Sequence, residues 1–227
     1  MKLQKVTEAG RAVHGKWYND ACGTAFGLEL LGERWSLLIV RELMFGPLRF
    51  STLRANLPGI SAKVLTERLE KLESTGVLVK RTLPPPSAVQ VYELTAWGYR
   101  AEPLIQELGR WAAMSHGHDP TLPLSPVSFM LSLRTMFDAA TAGDWHTRIG
   151  FRLADAVFTG TVAGGAFTVK REEPHDVDAV FSAPEAPPLA AMVYLGMPAA
   201  DVGVEVTGDR EVARHFPTLF NLPERIG

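Results

Sequence analysis

The stretch SAKVLTER, Ser61 to Arg68, carries five side chains able to make directed polar contacts: Ser61, Lys63, Thr66, Glu67 and Arg68. Leu65, Leu69 and Leu72 recur at helical spacing and share one face. Ala62, Lys63, Thr66 and Glu67 therefore face away from it. An ammonium, a hydroxyl, a carboxylate and a small residue within two turns can address the edges of nucleic-acid bases. Lysine donates to guanine O6/N7 or to a phosphate, threonine hydrogen-bonds a base or touches a thymine methyl, and glutamate accepts from cytosine N4. Glu67 reads first as a solvated surface carboxylate. Arg68, beside the apolar stripe, suits a phosphate contact or an ion pair. Ser61, expected as the helix N-cap, would present its hydroxyl and the free N–H groups to a phosphate.

Further cations flank this stretch. Arg49 and Arg54 belong to the preceding segment, where Ser51 is expected as an N-cap, and Lys80 and Arg81 follow. Each alone reads as a solvated surface charge, and their shared placement carries the argument. No catalytic constellation accompanies them: CxxC, HExxH and phosphate-loop spacings are absent. His116 and His118, and the group Glu172, Glu173, His175 and Asp176, read as solvated loop residues. No cofactor and no metal is expected. Cys22 is the only cysteine, so there is no internal disulfide.

The elements that must hold these residues are legible as a series. Cys22–Gly32, Arg34–Pro47, Ser51–Leu57 and Ser61–Thr75 read as helices, the last stopped by Gly76. The turn between the final two is Pro58-Gly59-Ile60, of the length and chemistry found in a helix-turn-helix. VLVKRTL (77–83) and VQVYELT (89–95) read as strands around a Pro-rich tip. Thr95 is placed to cap one long helix, AWGYRAEPLIQELGRWAAM. Helix, helix, turn, helix, strand, tip, strand is the order of a winged helix-turn-helix. A helical hairpin in an unrelated bundle is the alternative on order alone.

The 227 residues are 46% hydrophobic and 21% charged. Residues 1–118 hold 15 Lys+Arg against 11 Asp+Glu, a balance of +4, and the remainder holds 8 against 14, or −6. This asymmetry suggests two domains with different partners. GHDPTLPLSP (117–126) reads as a linker, giving 1–116, 117–126 and 127–227. After it comes a helical run (Pro126–Thr141), then four strand-like runs, a short helix, a strand and a last helix. The fold class is α+β, the second domain having a mostly antiparallel sheet and flanking helices. The opening residues lack an apolar signal-peptide core, and no run reaches the roughly 18 apolar residues of a membrane span. The expected location is cytoplasmic.

The blocks GERWSLLIVREL, LRFSTLR, GISAKVLTERL and YELTAWG, between Cys22 and Trp111, resemble the HxlR family of winged-helix transcriptional regulators. The resemblance implies a homodimer on a palindromic operator in double-stranded DNA, with terminal helices at the interface. It also implies that Cys22 occupies the position of a redox or electrophile sensor in some members. Two departures stand out: Gly23 replaces a frequent Pro, and the second wing strand lacks the Arg that often precedes its Tyr. Independently, Ala101, Leu104, Ile105, Leu108 and Trp111 form a broad apolar stripe, which suits a two-fold interface or packing against the second domain.

The element order from Val127 to Pro223, with VEVTGD and HFPTLF, resembles a sterol-carrier-protein-like domain. That implies a hydrophobic tunnel for an apolar effector, with Phe129, Met136, Phe151, Phe158 and Met192 expected to line it. A filled structural domain is the alternative. The reading that follows is a DNA-binding regulator and not an enzyme. Its rivals are an apolar-ligand carrier or enzyme with the helical half as scaffold, and a thiol-sensing regulator.

Overall fold

A computed structural model describes residues 18–226; the opening segment up to residue 17 lies outside the described residues. The chain separates into two units between Ala101 and Glu102.

The first unit contains α1 (Gly23–Leu31), α2 (Ser36–Glu42), α3 (Phe50–Asn56), α4 (Ala62–Ser74), β1 (Leu78–Thr82), β2 (Gln90–Leu94) and the short α5 (Ala96–Tyr99). Leu65, Leu69 and Leu72 of α4 are buried against a core that includes Ile39, Leu43, Leu53 and Leu57. Ser61 caps α4, its Oγ accepting from the Val64 N–H at 3.2 Å, a contact generally worth about 1 kcal/mol. The helix ends in a Schellman motif: the Gly76 N–H donates to Glu73 O (2.9 Å) and the Val77 N–H to Leu72 O (2.9 Å). Gly76 sits at φ +74° there, and Gly59 in the turn before α4 at φ +89°, backbone that favours glycine. β1 and β2 pair antiparallel, Leu78 opposite Leu94 and Thr82 opposite Gln90.

Several boundaries differ from the sequence expectation. Ser51 is not the N-cap of α3. Arg49 holds that position, because Leu48 is tied by two backbone hydrogen bonds to Tyr92 (3.0 and 2.8 Å) and the helix starts directly after it. The segment expected as Arg34–Pro47 is helical only over Ser36–Glu42, entered through Trp35 at φ +82°. Thr95 does cap a helix, accepting from the Gly98 N–H at 3.0 Å, but that helix stops at Tyr99. Pro103 lacks an N–H, and its ring would clash with the carbonyl four residues back. A separate helix, α6, starts at Glu102.

The second unit contains α6 (Glu102–Ala113), α7 (Pro126–Met136), α8 (Ala139–Ala142), β3 (Thr147–Leu153), β4 (Ala156–Ala163), β5 (Ala166–Lys170), β6 (Ala179–Ala183), α9 (Ala186–Leu195), β7 (Glu205–Gly208), α10 (Arg210–His215) and a 3-10 turn at Phe216–Leu219. Its sheet runs β5-β4-β3-β6-β7. Every neighbouring pair is antiparallel except β3 with β6. The boundary between units thus falls before α6 and not in the Pro-rich stretch. Arg134 of α7 pairs with Glu102 at 2.6 Å, and Arg110 donates to Thr135 O, so α6 belongs with α7. The helical run expected to Thr141 breaks at Phe137, because Asp138 turns its carboxylate onto the Ala140 and Thr141 N–H groups (2.9 and 3.2 Å) and starts α8. Pro217 likewise divides the expected last helix.

Candidate nucleic-acid interface

The turn 57–61 joins α3 to α4 and leaves the outer side of α4 open. Lys63, Thr66 and Glu67 are exposed, Ala62 is half-buried, and Ser61 is exposed at the cap. Ser61 Oγ spends an acceptor site on its own helix, and its O–H hydrogen remains to donate. Lys63 Nζ lies 3.9 Å from Glu67 Oε1, with the two side chains 86% and 47% exposed. Such a pair contributes little and is readily exchanged for another partner. Arg49 and Arg54 are exposed on α3, and neither forms an ion pair with a described residue.

The other expected contacts are differently placed. Arg68 is engaged by Glu33, at 2.5 Å to Oε2, and donates from Nε to Arg34 O at 3.3 Å. Lys71 Nζ donates to Glu33 Oε1 at 2.6 Å. The Lys71 hydrogen bond, aided by the two positive charges, holds the Glu33 carboxyl below the usual carboxylate value. Of the two roles expected for Arg68, the structure displays the ion pair. In the hairpin, Arg81 pairs with Glu93, and Lys80 Nζ lies 5.8 Å from the Tyr92 ring centroid.

Sequence reasoning missed Glu42. It is fully buried on α2, with Oε1 accepting from Arg41 Nη2 (2.8 Å) and Nε (3.1 Å) and Oε2 from Asn56 Nδ2 (3.0 Å). This network ties α3 to α2 and so orients the helix before the turn. The string VREL offered no signal beyond a carboxylate inside an apolar run.

Cys22 is exposed at the N-cap of α1. The Thr24 N–H first, then the Thr24 hydroxyl and the Ala25 N–H, in the first turn of α1, favour the thiolate and lower the Cys22 pKa from its ordinary value.

In the second unit the expected stripe on α6 divides. Leu104, Leu108 and Trp111 are 54%, 44% and 69% exposed, while Ala101, at the end of the first unit, and Ile105 are half-buried. The five expected pocket residues are all buried. Phe151 stacks on Phe181 and tilts against Phe216 with centroids 6.1 and 5.7 Å apart. Phe129 meets Tyr194 edge-on at 6.4 Å. A cleft of about 670 Å³ opens beside β7, and of the five only Met192 lines it. The other four, Phe129, Met136, Phe151 and Phe158, lie in the buried core and outside this cleft. Among the described residues no helix is long and apolar enough to cross a membrane.

Residues 30–119 match the HxlR-like helix-turn-helix family. The chain is 43% identical over 86 residues to the HTH-type transcriptional regulator YvaP of Bacillus subtilis, covering 37% of this chain and 79% of that one. It is 40% identical over 83 residues to the regulator YodB of the same organism, covering 37% and 74%. Among solved structures, quinone-bound YodB from B. subtilis is 35% identical, covers 39% of this chain and 93% of its own, and superposes with a TM-score of 0.35. Buried leucines on one side of α4, polar side chains on the other and a glycine turn before it agree with these matches, and the chain belongs to the HxlR-like helix-turn-helix family of DNA-binding transcriptional regulators.

Proposed function

We propose that this protein is a homodimeric, sequence-specific regulator whose α4 enters the major groove of a palindromic operator. The observation that carries the reading is the open outer face of α4, with Lys63 and Thr66 exposed in its first two turns, the part of a recognition helix that reaches base edges. Ser61, Ala62 and the free N–H groups of the first turn face a phosphate, and Arg49, Ser51 and Arg54 extend that contact along α3. The β1–β2 hairpin acts as the wing, with Lys80 and Arg81 exchanging Tyr92 and Glu93 for the DNA backbone. Glu67 and Arg68 sit at the edge of the footprint, where Arg68 must leave Glu33 to reach a phosphate.

Leu104, Leu108 and Trp111 supply the two-fold contact, because a stripe this apolar and this exposed favours burial against a second copy. Half-sites then lie about 34–36 Å apart, one turn of DNA. The second unit, whose sheet runs β5-β4-β3-β6-β7 beside its helices, serves as the effector domain. An apolar small molecule there regulates only if it binds the DNA-competent and incompetent states with different affinity.

The test is selection of DNA from a random pool, followed by binding to the selected site across a salt series. Several Lys/Arg–phosphate contacts predict a log–log slope of about −0.9 per contact. No selected sequence, or affinity independent of salt, would refute the proposal.

A second reading is favoured by the exposed, acidified Cys22 thiol. Its relative YodB has been solved with quinone bound. A thiol at the start of a helix is a better nucleophile near neutral pH, and its modification would alter α1. A Cys22→Ser protein whose DNA binding still responds to quinone would end this reading.

A further inference from the structure

The cleft beside β7 has a definite chemical character. One wall is α10 with the turn after it, which contributes Arg210, Ala213, Arg214, Pro217 and Thr218. The spacings of three and four residues put Arg210, Ala213 and Arg214 on one face of α10, and Pro217 and Thr218 follow in the 3-10 turn. The opposite side is apolar, with Phe181, Met192 and Val206. Two guanidinium groups and no carboxylate are among the lining residues. Arg210 makes no ion pair with a described residue. Arg214 pairs with Glu211 at 2.9 Å, with the side chains 71% and 80% exposed, an arrangement that yields readily to a competing anion. The opening carries apolar surface that water covers poorly: Met197, also in the lining, is 41% exposed and neighbouring Leu195 62%. The volume of about 670 Å³ lies within the span of small-molecule sites.

We propose that this cleft binds a single-chain amphiphile with a carboxylate head. Its apolar body lies on Phe181, Met192 and Val206, and its carboxylate is taken by Arg210 and Arg214. Guanidinium groups match a carboxylate with paired N–H donors, and two arginines with no carboxylate among the lining residues disfavour a cationic head. The proposal gives the effector a site and a chemical class, and for its regulatory consequence it rests on the reading of the second unit as an effector domain. The route from the cleft to α6 is continuous. Met192 shares α9 with Tyr194, whose hydroxyl lies 2.7 Å from Ser132 Oγ on α7, and α7 holds α6 through Arg134–Glu102 and Arg110–Thr135.

The experiment is titration calorimetry of the full chain with dodecanoate, dodecanol and dodecyltrimethylammonium, each below its micelle concentration, with operator binding measured in parallel. Dodecanoate is expected to bind once per chain and about tenfold or more tighter than the other two, as one charge-assisted contact allows. Arg210→Ala/Arg214→Ala should erase that preference, and Met197→Glu, which places a carboxylate at the mouth, should weaken dodecanoate selectively. Equal binding of all three probes, unchanged dodecanoate affinity in the double variant, or no binding at all overturns the proposal. Operator binding without dodecanoate binding overturns this inference alone. Dodecanoate binding that follows the two arginines, without operator binding, supports the cleft and sinks the regulator reading.

Discussion

Removing the Glu42 carboxylate tests how the helix-turn-helix is held in shape. Both oxygens are in use, Oε1 by Arg41 and Oε2 by Asn56. The Glu42 side chain has no exposure, while that of Arg41 keeps 24%. Breaking a buried pair from one side costs about 3–5 kcal/mol, because the remaining charge stays desolvated. After Glu42→Ala the Arg41 guanidinium rehydrates in part, which places that variant near the lower end, about 3 kcal/mol. Arg41→Ala leaves the fully buried Glu42 carboxylate without its guanidinium counter-charge and should cost more. Asn56→Ala removes one hydrogen bond to a charged group, about 2 kcal/mol. Replacing both charges together, Arg41→Leu/Glu42→Leu, should cost less than either single change, since no desolvated charge remains. Urea unfolding of the full chain, with hydrogen exchange of the α3 amides to locate the effect, measures these differences. A Glu42→Ala penalty below about 1 kcal/mol, or a double variant that costs more than either single change, refutes the claim that this network positions α3.

Changing Lys63 and Thr66 together to Ala should abolish discrimination between the selected operator and random DNA, since each base contact is worth about 1–3 kcal/mol. Circular dichroism should stay unchanged, because both side chains are exposed, and retained discrimination would move the recognition surface elsewhere. Trp111→Asp with Leu108→Asp puts charge on the exposed stripe of α6 and should convert a dimer to a monomer in analytical ultracentrifugation; an unaltered dimer would exclude this face. For Cys22, the lowered thiol predicts that iodoacetamide labelling rises at a pH below the ordinary thiol midpoint of about 8.5. Labelling that follows the ordinary midpoint would show that Thr24 and Ala25 do not stabilise the thiolate.

The helices of the first unit were legible because periodicity and punctuation coincide. Leucines at 65, 69 and 72 set one face of α4, Ser61 starts it, and Gly76 ends it in the left-handed conformation its type suggests. The errors came where a side chain or a neighbouring strand competes with helical backbone. Asp138 captures two amides and breaks a run that looked continuous. Leu48 pairs with Tyr92 and moves the start of α3 ahead of Ser51. Pro103 was visible in the sequence, and its consequence, a break after Tyr99, follows from its missing N–H.

The candidate interface divides in the same way. Residue spacing along the sequence sets which types sit on the outer side of α4 and which turn precedes it, because a helix converts spacing into a face without reference to the rest of the chain. It also placed Cys22 at the start of a helix. Tertiary packing settles which cations are engaged: Arg68 and Lys71 are held by Glu33, 35 and 38 residues upstream of them, and Arg81 by Glu93 across the hairpin. It likewise turned Phe151 and Phe158 from expected pocket walls into core, and opened a cleft beside β7 with two arginines that lie far in sequence from Phe181. Long-range pairing and the filling of space depend on which segments meet, and no local pattern encodes that meeting.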